Sequence, residues 1–365
     1  MNPKPIRILQ VIDNMDLGGM ENMLINYYKK IDKNKFQFDF LLSNKSSCAH
    51  EEEIIKNGGK IFRITPRRIN PIINRIEIER FFKQNKYDII EIHQGVTYLL
   101  PLKMANKYKI RRIIIHNHGI DQKYKHGLYD IYRKKIIIPY IKKRATNFFA
   151  CSEKVLGDLF DEKIIKNKNY YIINNVIDVE KYKQNNKTRN DIRRELGIRD
   201  NTCVVGHVGN FTYPKNQKFI IDISRQLKNY TFILVGDGKY YQQLKELAPK
   251  NVLFYGKTNE ADIIMQSFDV FIMPSLWEGV PLAAIEAQAI GIKTLLSDKI
   301  STETIISKST KRIQLNIDGW IKEIKRVHIG EREANSSLIT KAGYNNAKEA
   351  SKLEKIYKII SNQES

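Results

Sequence analysis

Short apolar runs alternate with amphipathic stretches of helical spacing along this chain, and the alternation restarts near its middle. In the first half, Arg7-Ile8-Leu9-Gln10-Val11-Ile12, Phe38-Asp39-Phe40-Leu41-Leu42, Asp88-Ile89-Ile90-Glu91-Ile92-His93 and Arg112-Ile113-Ile114-Ile115-His116 read as strands. Between the first two, residues 21–31 place Met23, Leu24, Tyr27, Tyr28 and Ile31 on one helical side. In the second half, strands are expected over 203–208, 231–235, 252–255, 270–273 and 293–296, with a helix over 217–227. Strands separated by helix-length segments pair in parallel, because a parallel pair needs a crossover too long for a tight turn. Two consecutive α/β domains are therefore expected, over 1–172 and 173–344, with an Asn- and Lys-rich connection around 165–190. Residues 345–365 are expected as a C-terminal helix packing back on the first domain, with Ala350, Leu353, Ile356, Tyr357 and Ile360 on one side.

Composition narrows the class. With 42% hydrophobic and 28% charged residues in 365, the chain can bury two cores and is neither disordered nor fibrous. Cys48, Cys151 and Cys203 lie at unrelated spacings, which makes neither a disulfide framework nor a zinc site. No signal peptide opens the sequence, and no apolar run approaches the about 20 residues of a membrane span, so a cytoplasmic protein is expected. The formal charge is +22, with +15 carried by residues 1–170. That asymmetry suits an anionic partner on the first half, although Lys, Asn and Ile are abundant throughout. The run Arg133-Lys134-Lys135, Ile136-Ile137-Ile138-Pro139-Tyr140-Ile141, Lys142-Lys143-Arg144 reads as a membrane-surface contact or as a buried helix with basic ends. No nucleic-acid recognition motif accompanies the charge, so a nucleic-acid partner is not expected.

Ligands of open α/β sheets bind outside the carboxyl ends of the strands, so the informative residues should follow strands. The strongest group is Met273-Pro274-Ser275-Leu276-Trp277-Glu278-Gly279-Val280-Pro281-Leu282-Ala283-Ala284-Ile285-Glu286. Here a strand ends, a loop carries Glu278 and Gly279, and a helix is expected to open at Pro281, with free N–H groups near Leu282 and Ala283. Glu286 falls in the second turn. A helix N-terminus for phosphate, flanked by two carboxylates that accept from hydroxyls, describes a nucleotide-sugar site. Gly18-Gly19 after the first strand and Gly236-Asp237-Gly238 after a later one allow close backbone approach to a ligand, and Gly256-Lys257 is a weaker case. His116 and His118 follow another strand and share a side, but no third ligand with metal spacing stands near them in the sequence. There is no Asp-x-Asp motif for a metal–diphosphate site, so neither metal nor cofactor is expected.

The 273–286 run closely resembles the Glu-x7-Glu signature of retaining glycosyltransferases with the GT-B fold, family 4 in particular. Gly18-Gly19-Met20-Glu21, Ala150-Cys151-Ser152-Glu153, Asn174-Asn175-Val176-Ile177-Asp178, Leu234-Val235-Gly236-Asp237-Gly238 and Phe254-Tyr255-Gly256-Lys257 resemble further segments of that family, so the likeness spans nearly the whole chain. The resemblance implies two Rossmann-like α/β domains facing a cleft, with a nucleotide-sugar donor on the second and a glycan or lipid-linked acceptor on the first. It implies that Glu286 binds the ribose, Glu278 and His118 the donor sugar, and that the segment Gly279, Val280, Pro281 and Leu282 lines the donor site and contributes backbone donors, Pro281 itself having no N–H. His116 is the reserve for His118. One position departs: the family has Arg, then Lys five residues later, to clamp the diphosphate. Lys215 fits, but Asn210 stands in the Arg position. The expected activity is retaining hexosyl transfer in surface polysaccharide synthesis, peripheral at the inner face of the membrane. A nucleotide-sugar epimerase and a non-catalytic partner subunit, the latter motivated by Asn210, are the alternatives.

Overall fold

The computed structural model describes residues 4–93, 99–118, 131–157 and 169–362, without the side chains of Arg133 and Lys154. The chain divides into two units, 1–176 with 346–365, and 177–345.

Unit 1 is a seven-stranded sheet of β1 (Ile6–Ile12), β2 (Phe36–Leu42), β3 (Ile61–Arg63), β4 (Ile89–His93), β5 (Arg112–Asn117), β6 (Asn147–Ala150) and β7 (Asn169–Ile172). The order is β3-β2-β1-β4-β5-β6-β7, and every pairing is parallel. Helices α1 (Gly19–Lys30), α2 (Glu51–Lys56), α3 (Pro71–Gln84), α4 (Leu99–Lys107), α5 (Ile138–Arg144) and α6 (Glu153–Gly157) connect the strands. Side chains alternate across a strand, so the apolar runs feed two cores. Leu9, Val11, Ile90, Ile92, Ile113 and Ile115 pack with Phe81 and Phe82 of α3. Ile8, Ile12, Phe38, Phe40, Ile89 and Ile114 pack with α1 and with the C-terminal helix Asn346–Asn362. Ala350, Leu353, Tyr357 and Ile360 of that helix are buried there, and the Tyr357 ring meets those of Phe36, Phe38 and Phe149. Burying each such large side chain is worth roughly 1.5–3 kcal/mol, which fixes the C-terminal helix to unit 1.

The basic run opens as a π-helical turn over Arg133–Ile137 and continues into α5. Ile137, Ile138 and Ile141 are buried, whereas Lys134, Lys135, Ile136, Lys143 and Arg144 are exposed. Half of its apolar middle is core, with Tyr140 half-buried and Ile136 and Pro139 exposed. Among the described residues, no helix is long and apolar enough to cross a membrane.

Unit 2 has six parallel strands, β8 (Val204–Val208), β9 (Thr231–Val235), β10 (Val252–Gly256), β11 (Val270–Met273), β12 (Lys293–Ser297) and β13 (Thr310–Ile313), in the order β10-β9-β8-β11-β12-β13. The helices are α7 (Asn186–Glu195), α8 (Gln217–Gln226), α9 (Tyr241–Leu247), α10 (Ala261–Met265), α11 (Leu282–Ile290), α12 (Ile317–Lys325) and α13 (Ser336–Lys341). Helix α11 is buried almost all round and ends on Gly291, whose φ of +88° gives the left-handed cap that glycine adopts without strain. Pro281 is extended and stands just before α11, so the first helical residue is Leu282, not Pro281 as the sequence led one to expect.

Candidate active site

In each sheet the winding reverses beside the first strand, between β1 and β4 in unit 1 and between β8 and β11 in unit 2. Loops leaving adjacent strands diverge at such a reversal and open a crevice at the carboxyl edge. Most of the residues singled out from the sequence lie at these two places, while Gly236 and Asp237 follow β9 and Gly256 and Lys257 follow the edge strand β10.

In unit 2 the loops after β8 and β11 are stitched together. The Leu276 N–H donates to Pro214 O at 2.8 Å, and Asn216 Nδ2 to Pro274 O at 3.1 Å. The Tyr213 and Trp277 rings meet with centroids 5.8 Å apart. Asn216 has φ +54°, a left-handed conformation that asparagine tolerates better than most residues and that functional loops often hold. This frame sets Lys215 Nζ 2.8 Å from Glu278 Oε2, both side chains partly buried. Helix α11 begins four residues on, and no side chain caps its N-terminus, so its first N–H groups remain for an anion. Glu286 lies one turn deeper. Burial pushes its pKa up to about 7, against a hydrogen bond from the Tyr182 hydroxyl, so it is no solvated helix residue.

The glycine turns form the wall of this site. A Cβ on Gly236, at φ +134°, would fall 2.2 Å from Gly209 O, so only glycine lets the 209–211 loop lie against the end of β9. Gly256 joins the same row, its carbonyl accepting from the Gly236 N–H at 2.9 Å. Asp237 is exposed and spends its Oδ1 on the Gly238 N–H at 2.7 Å, the role of a turn residue. Lys257 and Asn210 are exposed, and the Asn210 carbonyl accepts from Gln217 Nε2 at 2.9 Å. Gly279 is exposed, its carbonyl accepting from the Ser301 N–H at 3.3 Å, while Val280 is half-buried and Pro281 and Leu282 are buried. Ser275 Oγ is buried and has no hydrogen-bond partner among the described residues.

In unit 1, Gly18 precedes α1, where a Cβ would collide with the Glu21 carboxylate at 2.0 Å, and Gly19 opens the helix with free space around it. Burial raises the Glu21 pKa. Beside this turn lies a polar network that crosses β1, β4, β5 and the C-terminal helix. Gln10 pairs with Glu91 and His93 with His116 in register, which puts all four on one side of the sheet. His116 Nδ1 donates to Glu91 Oε1 at 2.7 Å, and the Tyr357 hydroxyl donates to Glu91 Oε2. His93 Nε2 donates to Gln10 Oε1 at 2.7 Å, which leaves His93 Nδ1 to accept from His118 Nε2 at 2.9 Å. Burial drives all three imidazoles toward neutrality: the pKa of His116 falls to about 3, and those of His93 and His118 fall well below the usual range. Burial raises that of Glu91. Two lone pairs end the chain of donors, on His116 Nε2 and His118 Nδ1, and both atoms lack a partner among the described residues. Gly119 lies outside the described residues.

The argument from sequence that no third ligand stands near His116 and His118 fails here. Parallel register brings His93 from β4 beside them, and one ligand atom from each of the three falls within 4.8 Å of the others. Gln10 and Glu91, holding the far nitrogens of His93 and His116, occupy the positions of outer-shell partners.

Residues 17–181 match the family described as Glycosyltransferase Family 4, and residues 188–328 match Glycosyl transferases group 1. The chain belongs to the family 4 glycosyltransferases. It is 28% identical over 376 residues to the Bacillus subtilis (strain 168) protein "Putative glycosyltransferase EpsF", covering 98% of both chains. It is 26% identical to the Escherichia coli UDP-Gal:alpha-D-GlcNAc-diphosphoundecaprenol alpha-1,3-galactosyltransferase, over 77% of this chain and 78% of that one. Among solved structures, Anabaena Alr3699/HepE in complex with UDP and glucose superposes with a TM-score of 0.76 at 17% identity, over 97% and 99% of the two chains. The two doubly wound units are those of the GT-B fold.

This glycosyltransferase also holds residues that the sequence reading passed over: Gln10, Glu91, His93 and Tyr357 in unit 1, and Tyr182, Tyr213, Ser275 and Trp277 in unit 2. One signal was present. Glu91 and His93 interrupt an apolar strand two residues apart and so share a side.

Proposed function

We propose that this enzyme moves a hexose from a nucleoside diphosphate to a glycan or lipid-linked acceptor with retention, in surface polysaccharide synthesis at the inner face of the membrane. The observation that carries the reading is the Lys215–Glu278 pair set before the uncapped N-terminus of α11, with Glu286 one turn inside. Lys215 and the α11 N–H groups take the diphosphate, Glu286 the ribose hydroxyls, and Glu278 the hexose. Gly236, Gly256, Lys257 and Gly279 border the nucleotide, and His118 Nδ1 accepts from a hexose hydroxyl. The acceptor belongs to unit 1, at Gly18-Gly19. The bond between C1 and the phosphate oxygen breaks, a bond from C1 to the acceptor oxygen forms on the same face, and the acceptor proton passes to the departing diphosphate. Fixed donors aimed at the charge that develops on that diphosphate supply most of the rate. The names of relatives support a polysaccharide role: one is a capsular polysaccharide biosynthesis glycosyltransferase of Staphylococcus aureus. For the basic run at 133–144, peripheral contact is confined to its exposed residues.

Transfer needs no divalent metal on this reading, because the diphosphate meets Lys215 and backbone donors rather than a carboxylate cluster. The test incubates nucleoside diphosphate hexoses with a lipid-diphosphate sugar acceptor under excess chelator. Transfer with the donor's anomeric configuration is expected. Conversion of the donor to its epimer without acceptor, donor binding without transfer, or loss of transfer that manganese restores would each overturn it. The third outcome would point to the three histidines.

A further inference from the structure

The imidazoles of unit 1 offer more lone pairs than one sugar hydroxyl can use. His93 ends β4, His116 lies beside it on β5, and His118 stands one residue beyond that strand. The three rings are in contact, with centroids 4.1 Å apart for His116 and His118 and 5.2 Å from His93 to each of the others. His116 is buried, and its Nε2 has no partner among the described residues. Leaving a buried acceptor unmet costs about 1–3 kcal/mol, which a ligand that takes the lone pair would offset.

The spacing suits a small cation. His93 Nδ1 and His118 Nε2 are 2.9 Å apart, close to the separation of about 3.3 Å between two nitrogens on one four-coordinate ion with bonds of about 2.0–2.1 Å. One ligand atom from each of the three side chains lies within 4.8 Å of the others, and a turn of the half-buried His118 ring closes that spread. The strand ligands are already aimed. Gln10 Oε1 accepts from His93 Nε2, and Glu91 Oε1 from His116 Nδ1, each at 2.7 Å. Glu91 is held in turn by the Tyr357 hydroxyl and by Gln10 Nε2. Far nitrogens fixed in this way set ring orientation and tautomer in metal sites. Three nitrogens and no carboxylate in the first layer favour zinc over magnesium, calcium or manganese, which take oxygen ligands.

We propose that His93, His116 and His118 bind a zinc ion, with water in the fourth position, and that the ion shuts the sugar site. His93 Nδ1, His116 Nε2 and His118 Nε2 supply the ligands. The proton that His118 Nε2 shares with His93 moves to Nδ1 of the same ring, so each imidazole stays neutral. The ion is an inhibitor of the enzyme and no part of its transfer chemistry. The blocking step rests on the reading of His118 as the acceptor of a hexose hydroxyl, whereas the binding of the ion does not.

The test titrates the chelator-treated full chain with cobalt(II), whose visible spectrum reports coordination number, and then with zinc(II) by calorimetry. The wild type is expected to give four-coordinate cobalt bands that zinc displaces, and zinc should raise its unfolding temperature. His118→Ala should remove the bands and weaken zinc binding by more than about 100-fold, beyond the loss of an outer-shell partner. His93→Gln should do the same, and His328→Ala, on an exposed histidine of unit 2, should change neither. Thermal unfolding without metal separates lost ligation from lost fold. Absence of four-coordinate bands in the wild type would overturn the proposal, as would bands that persist in a folded His118→Ala. The second arm compares binding of a nucleoside diphosphate hexose to the metal-free and the zinc-loaded, dialysed wild type. Zinc is expected to weaken it as much as His118→Ala does in the metal-free protein. If His118→Ala weakens hexose binding and zinc does not, the blocking step is overturned and the reading of His118 stands. If neither weakens it, that reading fails and takes the blocking step with it.

Discussion

The two switch points occupy equivalent positions in equivalent sheets, yet one is charged and the other is kept neutral. In unit 2 a lysine and a carboxylate face each other at the mouth, and a helix N-terminus lies behind them. In unit 1 three imidazoles are held uncharged by burial, and the hydrogen bonds that His116 and His93 donate to Glu91 and Gln10, with Tyr357 donating to Glu91 behind them, fix where the remaining lone pairs point. A diphosphate needs fixed charge and N–H dipoles, whereas a sugar hydroxyl needs a directed acceptor that does not titrate. On the proposed reading the same topology serves two chemistries, and the difference resides in which residues end the strands.

The sharpest way to break the comparison is Lys215→Ala. It removes the cation paired with Glu278 at the unit 2 mouth and leaves Glu278 unpaired, so single-turnover transfer should fall by about 100- to 1000-fold. A fall below tenfold would mean the diphosphate is held elsewhere.

Glu286 gives the next largest effect. Its folded pKa of about 7 lies above the ordinary 4.5, so the folded state keeps this proton longer than the unfolded chain does. The stability it confers is present below 4.5 and is lost as pH rises to about 7, by up to about 3 kcal/mol. Glu286→Gln should remove that loss. In thermal unfolding the variant's advantage over wild type should grow between pH 5 and pH 8; a flat difference would show that Glu286 is not buried as described.

Tyr357→Phe tests the unit 1 network alone. It deprives the buried Glu91 of a donor and should cost about 1–3 kcal/mol of stability, read from denaturant unfolding, without changing nucleotide affinity. The smallest effect is a gain. Asn210 is exposed, so Asn210→Arg should keep the fold and raise donor affinity about threefold to tenfold in calorimetry, less than a buried charge-assisted bond would give.

The sequence made unit 2 more legible than unit 1 for a physical reason. Glu278, Pro281 and Glu286 lie within one strand–loop–helix segment, so local rules describe their relation, and the only slip was one residue in where the helix opens. The site in unit 1 depends on parallel register. Gln10, Glu91, His93 and His116 come together because β1, β4 and β5 lie side by side, and no local spacing reveals that. The two consecutive α/β halves followed from the alternation of runs, and the short strands β3, β6, β7 and β13 escaped notice because three or four residues carry little periodicity.

Calorimetric titration with a bare nucleoside diphosphate, lacking the hexose, tests the division of labour most directly. Lys215→Ala should weaken that binding by more than about tenfold, while His118→Ala should leave it unchanged and weaken only the intact nucleoside diphosphate hexose. Equal loss of bare diphosphate binding in both variants, or loss in His118→Ala alone, would contradict a charged unit 2 site set against a neutral unit 1 site.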